Sequence, residues 1–211
     1  MDSRPIGVFD SGIGGLTVLQ EIIEKLPGED IIYFGDTARI PYGSRSKETV
    51  IKYTFQCIRF LLSKNIKAIV IACNTASALA LEEAKKVFEI PMMGVIEPGA
   101  KAAAAKTKNG RIGVIGTIGT INSESYQKKI RRIQPSADVI GIPCPLFVPL
   151  VEEGWEDTDV ALMTARKYLL ELKEHHIDTL VMGCTHYPIL RYTINKVMGE
   201  EVTLVNPAYE T

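Results

Sequence analysis

Two segments of this chain carry a cysteine in the same setting. In Ile69-Val-Ile-Ala-Cys73-Asn-Thr-Ala and Leu180-Val-Met-Gly-Cys184-Thr-His-Tyr, an apolar run ends in a small residue, then cysteine, then polar residues able to open a helix. Thiolates are stabilised and anions are held at such helix starts. One such cysteine in each half suggests a site with a reactive group on either side. Asn74, Thr75, Thr185 and His186 add donors suited to a bound carboxylate. A single buried cysteine is most often inert packing; two at equivalent places are harder to read that way. His186 has three readings: a base, a hydrogen-bond partner of Cys184, or a zinc ligand. No further ligands stand at metal spacing, which argues against zinc.

Other polar residues sit where strands end. Asp10-Ser11-Gly-Ile-Gly-Gly15 follows an apolar run and precedes a helical one. It fails the dinucleotide pattern, since Thr17 replaces the third glycine, and it lacks a Walker lysine. Its glycines would let backbone N–H groups approach an anion such as a carboxylate. Asp10 is either a helix cap or a residue that contacts a cation or orients a base. The loop Gly35-Asp-Thr-Ala-Arg-Ile-Pro-Tyr42-Gly43 either covers a small ligand or is plain surface. Glu152 and Glu153 read as an exposed helix face, or one of them faces a cleft. Cys57 reads as core, Cys144 is given no role, and His175-His176 read as a solvated helix end.

The elements that must position these residues alternate. Short apolar or β-branched runs at Ile6–Phe9, Ile31–Phe34, Ala68–Ala72, Met92–Val95, Arg111–Ile115, Val139–Ile142, Thr179–Met182 and Val202–Val205 predict parallel strands covered on both faces. Helices are predicted over Leu16–Leu26, Lys47–Ser63, Ala76–Phe88, Ser123–Ile133, Val160–His175 and Ile189–Met198. The first should bury Leu16, Leu19, Ile22, Ile23 and Leu26, and Gly199 should follow the last as its C′ residue. This alternation indicates α/β architecture.

The two halves also repeat. Gly7 and Gly113 open matching segments 106 residues apart, Pro41 and Pro149 lie 108 apart, and Cys73 and Cys184 lie 111 apart. The drift suits a duplication with small insertions, although any two α/β units of similar size look alike. Ligands of parallel sheets bind beyond the carboxyl ends of the strands. Two halves facing each other would therefore enclose an interdomain cleft.

With 211 residues, 46% apolar and 23% charged, the chain can form one large or two small domains with an ordinary core. Its net charge of -1 favours neither nucleic acid nor a membrane surface as partner. No run reaches the length of a membrane span, and the N-terminus lacks the apolar stretch of a secretory signal. Four cysteines without a C-x-x-C pair suit free thiols and a cytoplasmic location. A homodimer is compatible with the chain, whose sequence does not fix an oligomeric state.

Six motifs resemble the glutamate racemases, cofactor-independent members of the aspartate/glutamate racemase superfamily. They are Phe9-Asp-Ser-Gly-Ile-Gly-Gly-Leu-Thr-Val, Gly35-Asp-Thr-Ala-Arg-Ile-Pro-Tyr-Gly, Ala72-Cys-Asn-Thr-Ala-Ser, Gly94-Val-Ile-Glu-Pro-Gly, Cys144-Pro-Leu-Phe-Val-Pro-Leu-Val-Glu-Glu-Gly and Gly183-Cys-Thr-His-Tyr-Pro. They span nearly the whole chain in the family's order. The resemblance implies interconversion of L- and D-glutamate without pyridoxal phosphate or metal, supplying D-glutamate for peptidoglycan. It implies Cys73 and Cys184 as catalytic thiols, assisted by Asp10, Glu152 and His186. Substrate-binding positions would be Asp10, Ser11, Tyr42, Gly43, Asn74, Thr75, Thr185 and His186. It also implies two α/β domains with pseudo-twofold symmetry, the first (1–97) completed by a C-terminal segment, the second over 98–206, with 207–211 beginning the return. Asn206-Pro207 reads as an N-cap and first helical residue, so the sequence is expected to continue past Thr211. Rival readings are a racemase for another acidic amino acid such as aspartate, a cysteine hydrolase using Cys184 and His186, and a non-catalytic carboxylate-binding module.

Overall fold

The computed structural model describes residues 2–211. The first half runs β1 (Ile6–Asp10), α1 (Leu16–Lys25), β2 (Ile31–Gly35), α2 (Lys47–Leu62), β3 (Ala68–Ile71), α3 (Asn74–Leu79), α4 (Leu81–Val87) and β4 (Met92–Gly94). Helix α5 (Ile96–Lys106) leads into the second half. There follow β5 (Arg111–Gly116), α6 (Ile118–Asn122), α7 (Ser125–Ile133), β6 (Asp138–Pro143), α8 (Phe147–Glu152), α9 (Asp159–Glu174), β7 (Thr179–Gly183), α10 (Arg191–Met198), β8 (Thr203–Val205) and α11 (Pro207–Glu210).

The strands form two four-stranded parallel sheets, ordered β2-β1-β3-β4 and β6-β5-β7-β8. The fold is therefore two similar parallel-sheet α/β domains, as the alternating pattern predicts. The central strands are sealed on both faces: Val8, Phe9, Ile71, Val114, Ile115, Leu180 and Val181 have no exposed surface. Such strands carry no polar alternation because neither face meets water.

The repeat reaches into the packing. Helices α2 and α9 each have 16 residues, capped by Ser46 and Thr158 through the backbone N–H of Thr49 and Ala161. A buried leucine in the last turn of each, Leu61 and Leu172, presses on a glycine of the central strand. A Cβ on Gly7 would fall 2.8 Å from Ile66 Cδ1 and 3.3 Å from Leu61 Cδ1; on Gly113 it would fall 2.6 Å from Ile177 Cδ1 and 3.2 Å from Leu172 Cδ1. The glycines are there because helix and sheet approach too closely for any side chain.

Several expectations need correction. The stretch 76–88 is two helices, α3 and α4, broken at Ala80 (φ -123°). Helix α7 begins at Ser125, after Glu124 in the left-handed region (φ 55°), and α10 begins at Arg191, after a 3-10 turn over Tyr187–Leu190. In α1 the core takes Val18 and Ile22, while Leu16, Ile23 and Leu26 are about half exposed. The helix is apolar around a wide arc, and only the part facing β1 and β3 is covered. Helices α5, α6 and α8 are unforeseen in the sequence reading. Pro98 and Pro149 are compatible with α5 and α8 because each lies in a first turn, where proline lacks only an N–H that would be unpaired anyway. Asn206 caps α11, with Pro207 at its first position, as expected.

Candidate active site

Each sheet sends its reactive residues to the carboxyl ends of neighbouring strands. Asp10 ends β1, Cys73 follows β3 beside it, and Cys184 follows β7 in the second sheet. The two sheet ends meet. Gly119 donates its N–H to the Gly43 carbonyl at 2.8 Å, and the hydroxyls of Thr75 and Thr117 lie 2.9 Å apart. Between them lies a narrow cleft of about 30 Å³, lined by both cysteines and by Ser11, Ile40, Pro41, Tyr42, Gly43, Asn74, Thr75, Thr117, Val148, Glu152, Thr185 and His186. It shares Ile40, Pro41, Gly43, Thr117, Val148 and Glu152 with a neighbouring, mainly apolar hollow of about 230 Å³. Larger hollows elsewhere hold neither cysteine.

Cys73 is the N-cap of α3. Its sulfur accepts from the Ala76 N–H at 3.5 Å and lies 3.5 Å from the Ser11 hydroxyl. Burial, and then the charge of Asp10, push its thiol up to about 11, against those hydrogen bonds. Cys184 has a different neighbour: His186 Nδ1 is 3.8 Å from its sulfur, and His186 Nε2 is 3.2 Å from Glu152 Oε1. Burial raises the Cys184 thiol as well, opposed by the backbone N–H of His186. Both shifts favour the thiol over the thiolate.

Asp10 is fully buried. Its Oδ2 accepts the N–H groups of Gly12 and Gly15 at 3.0 Å, while Oδ1 has no partner. Burial raises its carboxyl above the ordinary value, and those two N–H bonds hold it back. Asp10 thus ties down the glycine turn ahead of α1, whose N-cap is Gly15 without a side-chain cap, and keeps one oxygen unpaired. The anion that the turn's N–H groups approach is Asp10 itself. Both Glu152 and Glu153 are exposed, but only Glu152, the last residue of α8, also lines the cleft.

Tyr42 reaches the cleft, but its ring is core. Its hydroxyl lies on Asp36 Oδ2, where Arg39 also pairs at 2.7 Å, and 3.8 Å from the Cys57 sulfur. Its carbonyl accepts the Arg45 N–H at 3.0 Å, which leaves the Gly43 N–H as the open polar group of that peptide unit. Cys57 is buried as expected, and Cys144 is buried too. Among the described residues no group of three or more His, Cys, Asp or Glu is placed to hold a metal ion.

Thr117, Ile40 and Val148 line the cleft without having been singled out. The repeat held the signal. The 106-residue spacing pairs Thr117 with Ser11, the 108-residue spacing pairs Val148 with Ile40, and the 111-residue spacing pairs Thr185 with Asn74 and His186 with Thr75.

Comparison with known proteins decides the family. The profile of the Asp/Glu/hydantoin racemases matches residues 6–209. This chain belongs to that family. It is an amino-acid racemase, as its motifs led one to expect. The glutamate racemase of Geobacter metallireducens is 59% identical over 211 residues, all of this chain and 78% of that protein. A crystal structure of a glutamate racemase isoform from Bacillus anthracis superposes with a TM-score of 0.97 at 46% identity, covering all of this racemase and 79% of that chain. The Francisella tularensis glutamate racemase, crystallised with D-glutamate, gives 0.93 at 43% identity, covering 100% and 78%. No helix among the described residues is long and apolar enough to cross a membrane.

Proposed function

We propose that this racemase interconverts L- and D-glutamate with one thiol on each face of Cα. One observation carries the reading: cysteines from equivalent strands of the two sheets line one cleft. The D-glutamate bound in the Francisella relative supports the substrate.

Racemisation removes a proton from one face of a carbon and returns one to the other. A single fixed group cannot easily do both; a thiolate and a thiol on opposite faces can. Cys73 abstracts from D-glutamate and Cys184 from L-glutamate. Asp10 assists Cys73, and His186, oriented by Glu152, assists Cys184. Since burial raises both thiols, the attacking one gives its proton to its assistant, Cys73 to Asp10 or Cys184 to His186, as the substrate's ammonium enters and its charge offsets the cost of the thiolate. Positioned acid–base groups contribute about 10²–10⁴-fold, too little for so weak a carbon acid. The remainder falls to donors around the carboxylate, from Asn74, Thr75 and Thr185, and to exclusion of water from a narrow cleft.

The chemistry needs no cofactor in this reading, and the product supplies peptidoglycan synthesis. Four free thiols suit the cytoplasm. We further divide the chain into domains at 1–97 and 98–206, with 207–211 returning to the first. Oligomeric state is open to a homodimer.

One rival has an observation in its favour, since Cys184, His186 and Glu152 form a chain of contacts like that of a cysteine hydrolase. Proton NMR in D₂O separates the readings. Solvent deuterium should enter Cα of glutamate as the enantiomer forms, faster than it enters aspartate. A protein that binds glutamate without Cα exchange would overturn the proposal. So would one whose activity survives Cys73→Ala.

A further inference from the structure

Tyr126 lies outside every motif discussed above. It sits in α7, fully buried, and its hydroxyl donates to Asn74 Oδ1 at 2.6 Å, from 52 residues away and across the junction of the two halves. Its ring is gripped by glycines. A Cβ on Gly99 would come within 3.2 Å of Cε1, and one on Gly183 within 3.1 Å of Cε2. Gly183 directly precedes Cys184, and Asn74 directly follows Cys73. One phenol therefore touches the chain beside both cysteines.

An asparagine amide has an acceptor end and a donor end. Which end faces a site decides whether a carboxylate there is attracted or repelled. With Oδ1 held by Tyr126, the Nδ2 end is left for the cleft that Asn74 lines, and among the described residues no group accepts from it. The opposite flip would strand the phenol's proton in a buried place and turn an oxygen toward the cleft. Each of those changes is costly. Burial holds the Tyr126 phenol well above its ordinary range, so it stays a donor at any working pH.

We propose that Tyr126 is a positioning residue: by donating to Asn74 Oδ1 it fixes the amide so that Nδ2 faces the cleft as a donor to a substrate carboxylate. This rests on the reading of Asn74 as a substrate-binding residue of a glutamate racemase. It adds the residue that sets the polarity of that contact.

Tyr126→Phe keeps the ring between its glycines and removes only the hydroxyl. In the full chain, KM for glutamate should rise about tenfold, the loss expected when a buried hydrogen bond to a charged ligand is misaligned, while kcat changes little. Asn74→Ala should raise KM similarly, and the double variant should be no worse than Asn74→Ala alone. An unchanged KM in Tyr126→Phe, or effects that multiply in the double variant, would overturn the proposal and leave Tyr126 a packing residue. If Tyr126→Phe does not fold, the Asn74 side-chain NH₂ signals of the unsubstituted protein decide instead. They should shift on adding D-glutamate, and unmoved signals overturn the idea. Absence of glutamate racemisation by the unsubstituted chain would sink the functional reading itself, a result distinct from either.

Discussion

Around Cys73 the partners are a buried carboxylate, a serine hydroxyl and the first turn of a helix. Around Cys184 they are an imidazole and the partly exposed carboxylate behind it. Strand, sheet position and cysteine are the same in the two halves; the assistants are not. The repeat pairs His186 with Thr75, and Asp10 with Gly116. Each half therefore has its own titratable side chain beside the cysteine, at a position where the other half has none. The comparison teaches that a parallel sheet fixes where a side chain emerges, while the chemistry there depends on single residues. The difference is compatible with the proposed mechanism, in which each face of the carbon meets a thiol but not the same helper.

The sharpest way to break the comparison is to remove one thiol. Enantiomers have equal energy, so kcat/KM must fall equally in both directions, by about 10³-fold or more, in Cys73→Ala and in Cys184→Ala. Half-reactions should nonetheless differ. In D₂O, Cys184→Ala should exchange the Cα proton of D-glutamate only, and Cys73→Ala that of L-glutamate only. Exchange of both enantiomers by either variant would refute one thiol per face.

Removing the assistants comes next. Asp10→Asn and His186→Asn should each lower kcat about 10²-fold. The Cα-deuterium isotope effect should grow chiefly with D-glutamate in the first and with L-glutamate in the second; equal growth in both variants would erase the distinction drawn between the sites. Glu152→Gln should do less, about tenfold or below, because that carboxylate is partly exposed and screened.

Gly14→Ala tests whether the first half shapes the second half's helper. A Cβ there would fall 2.6 Å from Thr185 Oγ1 and 2.7 Å from His186 Nδ1. We expect about 1–3 kcal/mol lost in urea unfolding, with kcat reduced toward that of His186→Asn. An active, fully stable variant would show that the contact gives way easily.

The smallest effect is on pH and stability. The Cys73 thiol rises from its ordinary value near 9 to about 11 in the fold. The unfolded chain therefore binds fewer protons than the native one between those values, and stability falls as pH rises through that window. The loss from this one thiol at pH 10 should be about 1 kcal/mol, so Tm should fall less steeply in Cys73→Ala, where the other buried thiols, also raised, still titrate. A Tm that falls as steeply in the variant would assign the loss elsewhere.

Much of this was written locally. Runs such as Ile69-Val-Ile and Leu180-Val-Met name buried parallel strands, and the spacing of Gly7 and Gly113, or of Cys73 and Cys184, names the repeat. Strand-then-cysteine was enough to place both thiols at sheet ends. Helix α5 was not legible, since Pro98 and Gly99 obscure its helical pattern; Pro98 falls harmlessly in a first turn and Gly99 makes room for the Tyr126 ring. The pairing of Thr117 with Ser11 across the repeat also marks Thr117 as a cleft residue.

The sequence by itself determined the alternating elements, the doubled architecture and the candidate thiols, because hydrophobic periodicity and strand-end motifs are properties of neighbouring residues. Only the tertiary structure decided that Glu152 rather than Glu153 meets His186, that Asp10 keeps one oxygen unpaired, that the Tyr42 ring turns into the core, and that Tyr126 holds Asn74. Those facts depend on contacts between segments far apart in the chain, and on burial that no local pattern specifies.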